Sequence, residues 1–341
     1  MATTVTHVVD PDAGTGYDYD SLFDWEVGEQ GDLTGVRDEI SVAKCRSTSG
    51  TADSTALVID GWTTSATQYI KIWTDPSESH RHDGIPDTGY RFTAGAFWAE
   101  IFAVKEDYVR IDGLSFYCSS SYSAILTWGG AGVLYISNSL FFHINANAYY
   151  HLLHFFEMAQ PADGAVLKIW NNIFYSSTGR AAIYARAFQV GTGTCILNNT
   201  CVSCGKTGQW GGITFWGTGT VDLYNNLVQP GEYGSWDYYF EGVTVNSSNN
   251  ISGDTSSPNS TFREKTVVFK DANNKDFHLD TTDTEAKNNG ASDPGSGLFS
   301  DDIDGQSRTG SWDIGADEYV AAVSALSISV SEALSFAEAL D

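Results

Sequence analysis

Short apolar runs recur along this chain with the same polar interruption. Residues 167–174 read LKIWNNIF, 195–202 read CILNNTCV and 221–228 read VDLYNNLV. In each, alternating apolar positions predict a half-buried strand, the Asn pair breaks it, and a second apolar run follows. Asn171 to Asn198 and Asn198 to Asn225 are both steps of 27 residues, and Ile169, Ile196 and Leu223 hold the same apolar position before the break. Asn competes with a strand for its own backbone hydrogen bonds, but it tolerates the left-handed backbone of a sharp bend. Strand, bend and strand at a fixed period describe one coil of a β-solenoid. Stacked coils bring equivalent amides one strand spacing apart, which predicts an Asn ladder of Asn138, Asn171, Asn198, Asn225 and Asn249.

Weaker copies extend the pattern. LYISNSLF (134–141) and TVNSSNNI (244–251) fit it, while LVIDGW (57–62) and VRIDGL (109–114) place Asp-Gly where the others have Asn. Asp60 and Asp112 lie 52 residues apart, about two coils. The interval from Asn138 to Asn171 is 33 residues, and NANAYYHLLHFFEMAQPADG (145–164) is expected to loop out of it. An open solenoid exposes strand edges, so both ends need covers. SLFDWEVGEQ (21–30) predicts a short N-terminal capping helix with Ser21 as N-cap, in which Leu22, Phe23, Trp25 and Val27 cover the first coil. The turn-rich DDIDGQSRTGSWDIGADEYV (301–320) predicts a C-terminal cap. The resulting division is 1–50 cap and first strands, 51–300 coils, 301–321 C-terminal cap and 322–341 a docking tail.

Composition narrows the partners. The 341 residues carry 18 Lys+Arg against 43 Asp+Glu, a net charge of −25. Nucleic acid is not expected, because phosphate binding needs a basic surface, and acidic polymers are repelled unless a local basic groove exists; none is visible along the sequence. MATTVTHVVDPDAGTG has neither a basic nor an apolar leader region, and no run reaches membrane-spanning length. Five cysteines (Cys45, Cys118, Cys195, Cys201, Cys204) without a small-scaffold pattern point to reduced, mostly buried thiols and cytoplasmic folding.

With coils and covers in view, the chain resembles right-handed parallel β-helix proteins of the pectate-lyase-like superfamily. The likeness rests on the Asn turns and on the ending R-x-G-x-W-D-I-G-A-D-E-Y, Arg308 to Tyr319. YDYDSLFDWEVGEQGDLTGVRDEISVAKC (17–45), followed by VIDGWTTSATQYIKIW (58–73), is similar to the opening of β-helix proteins found in bacteriophage virion gene sets. The resemblance implies polysaccharide lyases, glycoside hydrolases, or non-enzymatic spikes and fibres that grip glycans, and fold alone does not choose among them. The expectation is a non-enzymatic surface fibre, spike or decoration protein of a phage particle. It would fold in the host cytoplasm, bind other virion proteins through a terminal region, and form a homo-oligomer such as a trimer.

Candidate chemistry lies in the loops. A lyase would need clustered aspartates for Ca²⁺ and a basic residue, but the central coils hold only Lys168, Arg180, Arg186 and Lys206, in no lyase-like arrangement. A hydrolase would need two carboxyls about 5–9 Å apart, one held protonated. EYGSWDYYFEG (232–242) offers Glu232, Asp237 and Glu241 among aromatic residues as the alternative catalytic set, and Glu157 lies in the 145–164 insertion. The same rings suit sugar binding without chemistry, which nominates Trp210, Trp216, Tyr233, Trp236 and Tyr238 as glycan contacts. No cofactor is expected and no metal site is assigned, although the acidic balance would suit a structural Ca²⁺. HRHD (80–83) and the Cys195, Cys201, Cys204 spacing lack complete ligand sets and are read as structural. His143, His151 and His154 flank the 145–164 insertion as either a pH-sensitive or a packed cluster.

Overall fold

A computed structural model describes residues 2–94, 102–118, 123–128, 132–143, 151–156, 164–176, 181–205, 211–230 and 236–321. It is a parallel β-helix whose coils each contribute to three sheets. One well-described coil runs Val166–Trp170, Ile173–Ser176 and Ile183–Val190, and the next runs Cys195–Leu197, Thr200–Cys204 and the start of Ile213–Tyr224. We refer to these in that order as the first, second and third sheets. Ile213–Tyr224 is one 12-residue strand that serves the third sheet with its first half and the first sheet with its second.

The 27-residue period is the coil length. Ile136, Ile169, Ile196 and Leu223 stand in register on successive strands, all buried. In the second sheet the rings of Phe116, Phe141 and Phe174 stack along the axis, each 4.9 Å from the next. Cys201 and Val228 continue that row, so this thiol acts as a small apolar core side chain.

Each Asn pair turns the chain from the first sheet into the second. Asn138, Asn171, Asn198, Asn225 and Asn249 all have φ between 48° and 57°, and Gly113 fills the same corner with φ 79°. The unbroken ladder, however, is built from the second asparagine of each pair. Asn172 Nδ2 donates to Asn199 Oδ1 at 3.0 Å, Asn199 to Asn226 at 3.0 Å, Asn226 to Asn250 at 3.0 Å and Asn250 to Asn259 at 2.9 Å. These amides lie inside the coil, where their polar atoms need partners from within the protein. The first asparagines bond to one another only at intervals, Asn171 to Asn138 and Asn225 to Asn198, both 3.2 Å. Their left-handed backbone turns the amide outward, toward a covering segment.

Three sequence expectations change. LVIDGW is not equivalent to VRIDGL: Leu57–Ile59 belongs to the third sheet and Val109–Asp112 to the first. The 145–164 stretch does not leave the coil entirely, because Leu153–Phe156 is a third-sheet strand between Ile125–Trp128 and Ile183–Val190. In the N-terminal helix Leu22–Glu29, Ser21 caps Asp24 N–H, and Leu22 and Trp25 are buried as expected. Phe23 and Val27 face solvent instead, since positions four apart share a face that the 22/25/26 face excludes.

Coil stacking ends at Ile251–Ser252, well before residue 300. The chain from there to residue 321 does not simply close the end. It runs back along the outside of the second sheet, where Phe277, Ile303 and Ala316 pack on Tyr117, Leu140, Phe142 and Ile173. It takes hydrogen bonds from the corner asparagines: Asn171 donates to Asp301 O, Asn198 to Asp313 O and Asn225 to Ala291 O. Arg308 fastens it. The guanidinium is buried, 3.2 Å from Glu318, and donates to Asn171 Oδ1 and to the carbonyls of Gly315 and Ala316. Gly315 (φ 107°) passes so close to the Thr200 hydroxyl that a side chain there would collide with it. The proposed docking tail, 322–341, lies outside the described residues.

Candidate functional site

The second sheet is covered on its outside, and the third sheet is where outward side chains collect. Strand alternation turns Leu153, Ile183, Ile213 and Tyr238 inward as one row and their chain neighbours outward. The outward rows place His154, Tyr184, Thr214 and Tyr239 in register, and beside them Phe156, Arg186, Trp216 and Glu241. The Arg186 guanidinium lies 4.6 Å from the Trp216 ring centroid, a cation–π contact on the sheet surface. One coil on, Trp236 is 56% exposed and stacks on Tyr239 with centroids 5.2 Å apart and planes 7° from parallel. The Tyr239 hydroxyl donates to Glu241. Aromatic rings, a guanidinium and a carboxylate thus share one outer face.

Among the nominated glycan contacts, Trp216 and Trp236 stand on this face, but Tyr238 does not. It is 3% exposed, packs in the core, and its hydroxyl lies 3.0 Å from the carbonyls of both Asn226 and Ile251, to which it donates. Strand parity decides this: Tyr238 and Tyr239 are neighbours, so one must point in. Tyr239, which was not among those nominated, stands on this face in its place. Trp210, Tyr233, Glu232 and Glu157 lie outside the described residues.

Of the alternative catalytic carboxyls, the described pair Asp237 and Glu241 is widely separated. Asp237 is 1% exposed, and Oδ2 accepts the Gly253 N–H at 2.6 Å. Burial, reinforced by the charge of Asp254, pushes its pKa up to about 8 against two opposing backbone hydrogen bonds. This has the sign a general acid needs, yet the group is closed off from solvent. Glu241 is exposed and four residues further along an extended strand, roughly 13 Å away at the usual rise per residue. That separation exceeds the carboxyl spacing of either glycosidase geometry. Asp237 instead braces the bend at Gly253, holding the last coil.

The histidines divide by environment. His82 of HRHD is buried, with Nδ1 accepting from Gly84 N–H and Nε2 2.7 Å from Asn138 O, so it donates there as a neutral ring. Burial lowers its pKa to about 4. His80 bonds to Ser47 O, and the motif does not converge on a metal. His151 stacks on Tyr184 at 3.9 Å and accepts from Ala181 N–H, while His154, 5.3 Å from His151, is lowered to about 4 by burial and then by Arg186. These two rings border the aromatic face as packed groups.

A different cluster, on the covering segment, brings ligand atoms of His278, Asp304 and Asp317 within 4.8 Å of one another. Calcium takes an all-oxygen set, which an imidazole does not complete. Burial alone would lower His278, but Asp304, Asp317 and Asp276 outweigh it and raise it to about 9. The carboxylates favour the protonated ring, with His278 Nε2 2.8 Å from Asp304. It ties the Asp276–Leu279 strand to the Arg308 region.

With the geometry in place, the chain falls in the parallel β-helix class. No protein-family model matches the sequence, and a search of curated proteins finds no relative.

Proposed function

We propose that this β-helix is a non-enzymatic, glycan-contacting structural protein, a surface component of a bacteriophage particle such as a fibre, spike or decoration protein. The observation that carries the glycan half is the Trp216, Trp236 and Tyr239 face. Pre-stacked rings offer rigid apolar area to the flat faces of sugars at little entropic cost, and Arg186 and Glu241 supply polar partners at the rim. The particle half draws on the likeness of the opening segment to virion-associated β-helix proteins. Attachment through a terminal region and assembly into an oligomer, a trimer for example, belong to the same reading.

The test is incubation of the full chain with a panel of neutral and acidic surface polysaccharides, following retention, new reducing ends, unsaturated ends and chain length. Retention without cleavage is expected, weakened about tenfold in W216A and W236A. Turnover that disappears in D237N or E241Q would replace this reading with a polysaccharide-degrading enzyme.

A further inference from the structure

The cluster of His278, Asp304 and Asp317 contains a ring nitrogen that its surroundings leave without a hydrogen bond. His278 stands on the strand Asp276–Leu279 of the covering segment, and the two aspartates come from the irregular chain that follows. Its Nδ1 donates to Asp276, since a carboxylate only accepts. That bond fixes the ring and leaves Nε2 to Asp304 and Asp317. Nε2 is closed to solvent, and although it lies 2.8 Å from Asp304 Oδ2, the two are not aligned for a hydrogen bond. Asp317, 5% exposed, is oriented in turn, because its Oδ2 accepts the Leu279 N–H at 2.7 Å. Gly84 (φ 70°), next to the HRHD motif, approaches so closely that a side chain there would fall on Nε2. Beside the cluster opens a cleft of about 470 Å³, lined also by Asp83, Lys270, Gln306 and Tyr319.

Metal-bound imidazoles are commonly held in this way, with the far nitrogen bonded to a carboxylate that orients the ring and raises its basicity. The ligand atoms of the three residues lie within 4.8 Å of one another. Ligands about 2.1 Å from one ion, at tetrahedral angles, stand roughly 3.4 Å apart, so small side-chain rotations close the set. One imidazole and two carboxylates suit Zn²⁺ and its first-row neighbours, whereas Ca²⁺ and Mg²⁺ favour oxygen alone. The carboxylates that favour a proton on the ring also favour a divalent cation, which displaces that proton as it binds.

We infer that His278, Asp304 and Asp317 form a binding site for a divalent transition metal of the zinc type, with water from the cleft in the remaining position. The ion ties the Asp276–Leu279 strand to the chain around Asp304 and Asp317, and so fastens the cover upon itself outside the second sheet. The site belongs to the covering segment and not to the Trp216–Trp236 face, so this inference does not rest on the glycan reading.

The experiment is titration of the full chain, first stripped with a chelator, with Zn²⁺, Ca²⁺ and Mg²⁺ in turn, and with Co²⁺ as a coloured substitute. One Zn²⁺ per chain should bind at least about tenfold more tightly than Ca²⁺ or Mg²⁺ and raise the melting temperature. Co²⁺ should give visible d–d bands without the strong near-ultraviolet absorption of a thiolate ligand. H278Q and D304N should each lose at least about tenfold in Zn²⁺ affinity, and H80Q should lose none. D304N alters a side chain at the rim of the cleft, so it keeps the test open if H278Q does not fold. No Zn²⁺ binding by the folded parent, undiminished binding in D304N, a preference for Ca²⁺, a thiolate–cobalt band, or loss in H80Q would overturn the assignment.

Discussion

The second and third sheets are made from the same coils, yet their outer faces differ in kind. Outside the second sheet, Tyr117, Leu140, Phe142 and Ile173 are buried like core residues, because the returning segment packs on them. Outside the third, Tyr184 and Thr214 are buried, but Trp236 and Arg186 meet solvent, and Trp236 stacks on Tyr239. The corner asparagines account for part of this contrast. A left-handed residue at each turn presents an amide beside the second sheet, and a chain segment can bind those amides one coil after another. One repeat can therefore give a structural side and an available side, depending on what the chain does after the repeat ends.

The largest effect should come from breaking the covered side. R308M removes a buried cation and leaves Glu318 without its partner, which should cost about 3–5 kcal/mol. Urea unfolding would measure the loss, and hydrogen exchange should show Leu140 and Ile173 amides becoming labile first. A variant as stable as the parent would mean that the cover is held by apolar contact alone.

The ladder beneath it should be next. N199L breaks the amide chain and removes the Oδ1 that accepts the Asn172 backbone N–H at 3.1 Å, leaving that buried donor unsatisfied at a cost of about 1–3 kcal/mol. N198G, at the left-handed corner, should cost less, since Gly adopts that backbone freely and only the outward bonds are lost. Comparing the two melting temperatures would show which asparagine of the pair carries the stack.

Titration separates the regions more gently. Asp237 is raised to about 8 in the folded state, so the folded chain holds a proton that the unfolded chain releases near its ordinary value of 3.8. Its stability contribution is full below about pH 4 and is lost as pH rises through about 8. D237N should therefore unfold at a higher temperature than the parent at about pH 9 and show little gain at about pH 4. His82, lowered to about 4, has the opposite sign: its contribution is present above 6.5 and lost as pH falls through about 4. H82Q should flatten the acid limb of a stability–pH curve.

The smallest effect on stability should be on the open face. W236A removes an exposed ring that stacks on Tyr239, and its unfolding free energy should stay within about 1 kcal/mol of the parent. Glycan retention should nevertheless fall. A large loss of stability would show that this face is built to be covered, as the second sheet is.

The coil was legible in the sequence alone. The 27-residue period, the apolar position of Ile169, Ile196 and Leu223, the left-handed corners and the Ser21 helix start could all be read there. Each depends on neighbours a few residues away, or on a repeat that periodicity exposes. Which asparagine makes the ladder was not legible, because Asn171 and Asn172 differ only in the side of the corner to which the backbone turns them. Nor was the inward turn of Tyr238, which strand parity fixes only once the strand's first residue is known. The path of residues 253–321, the burial of Arg308 against Asn171 and the closing of Asp237 arose from long-range packing. So did the first-sheet row of Lys71, Arg110 and Lys168, which lie 39 and 58 residues apart in sequence. Coils of unequal length bring them together, and only the register of the stacked strands turns scattered cations into a surface.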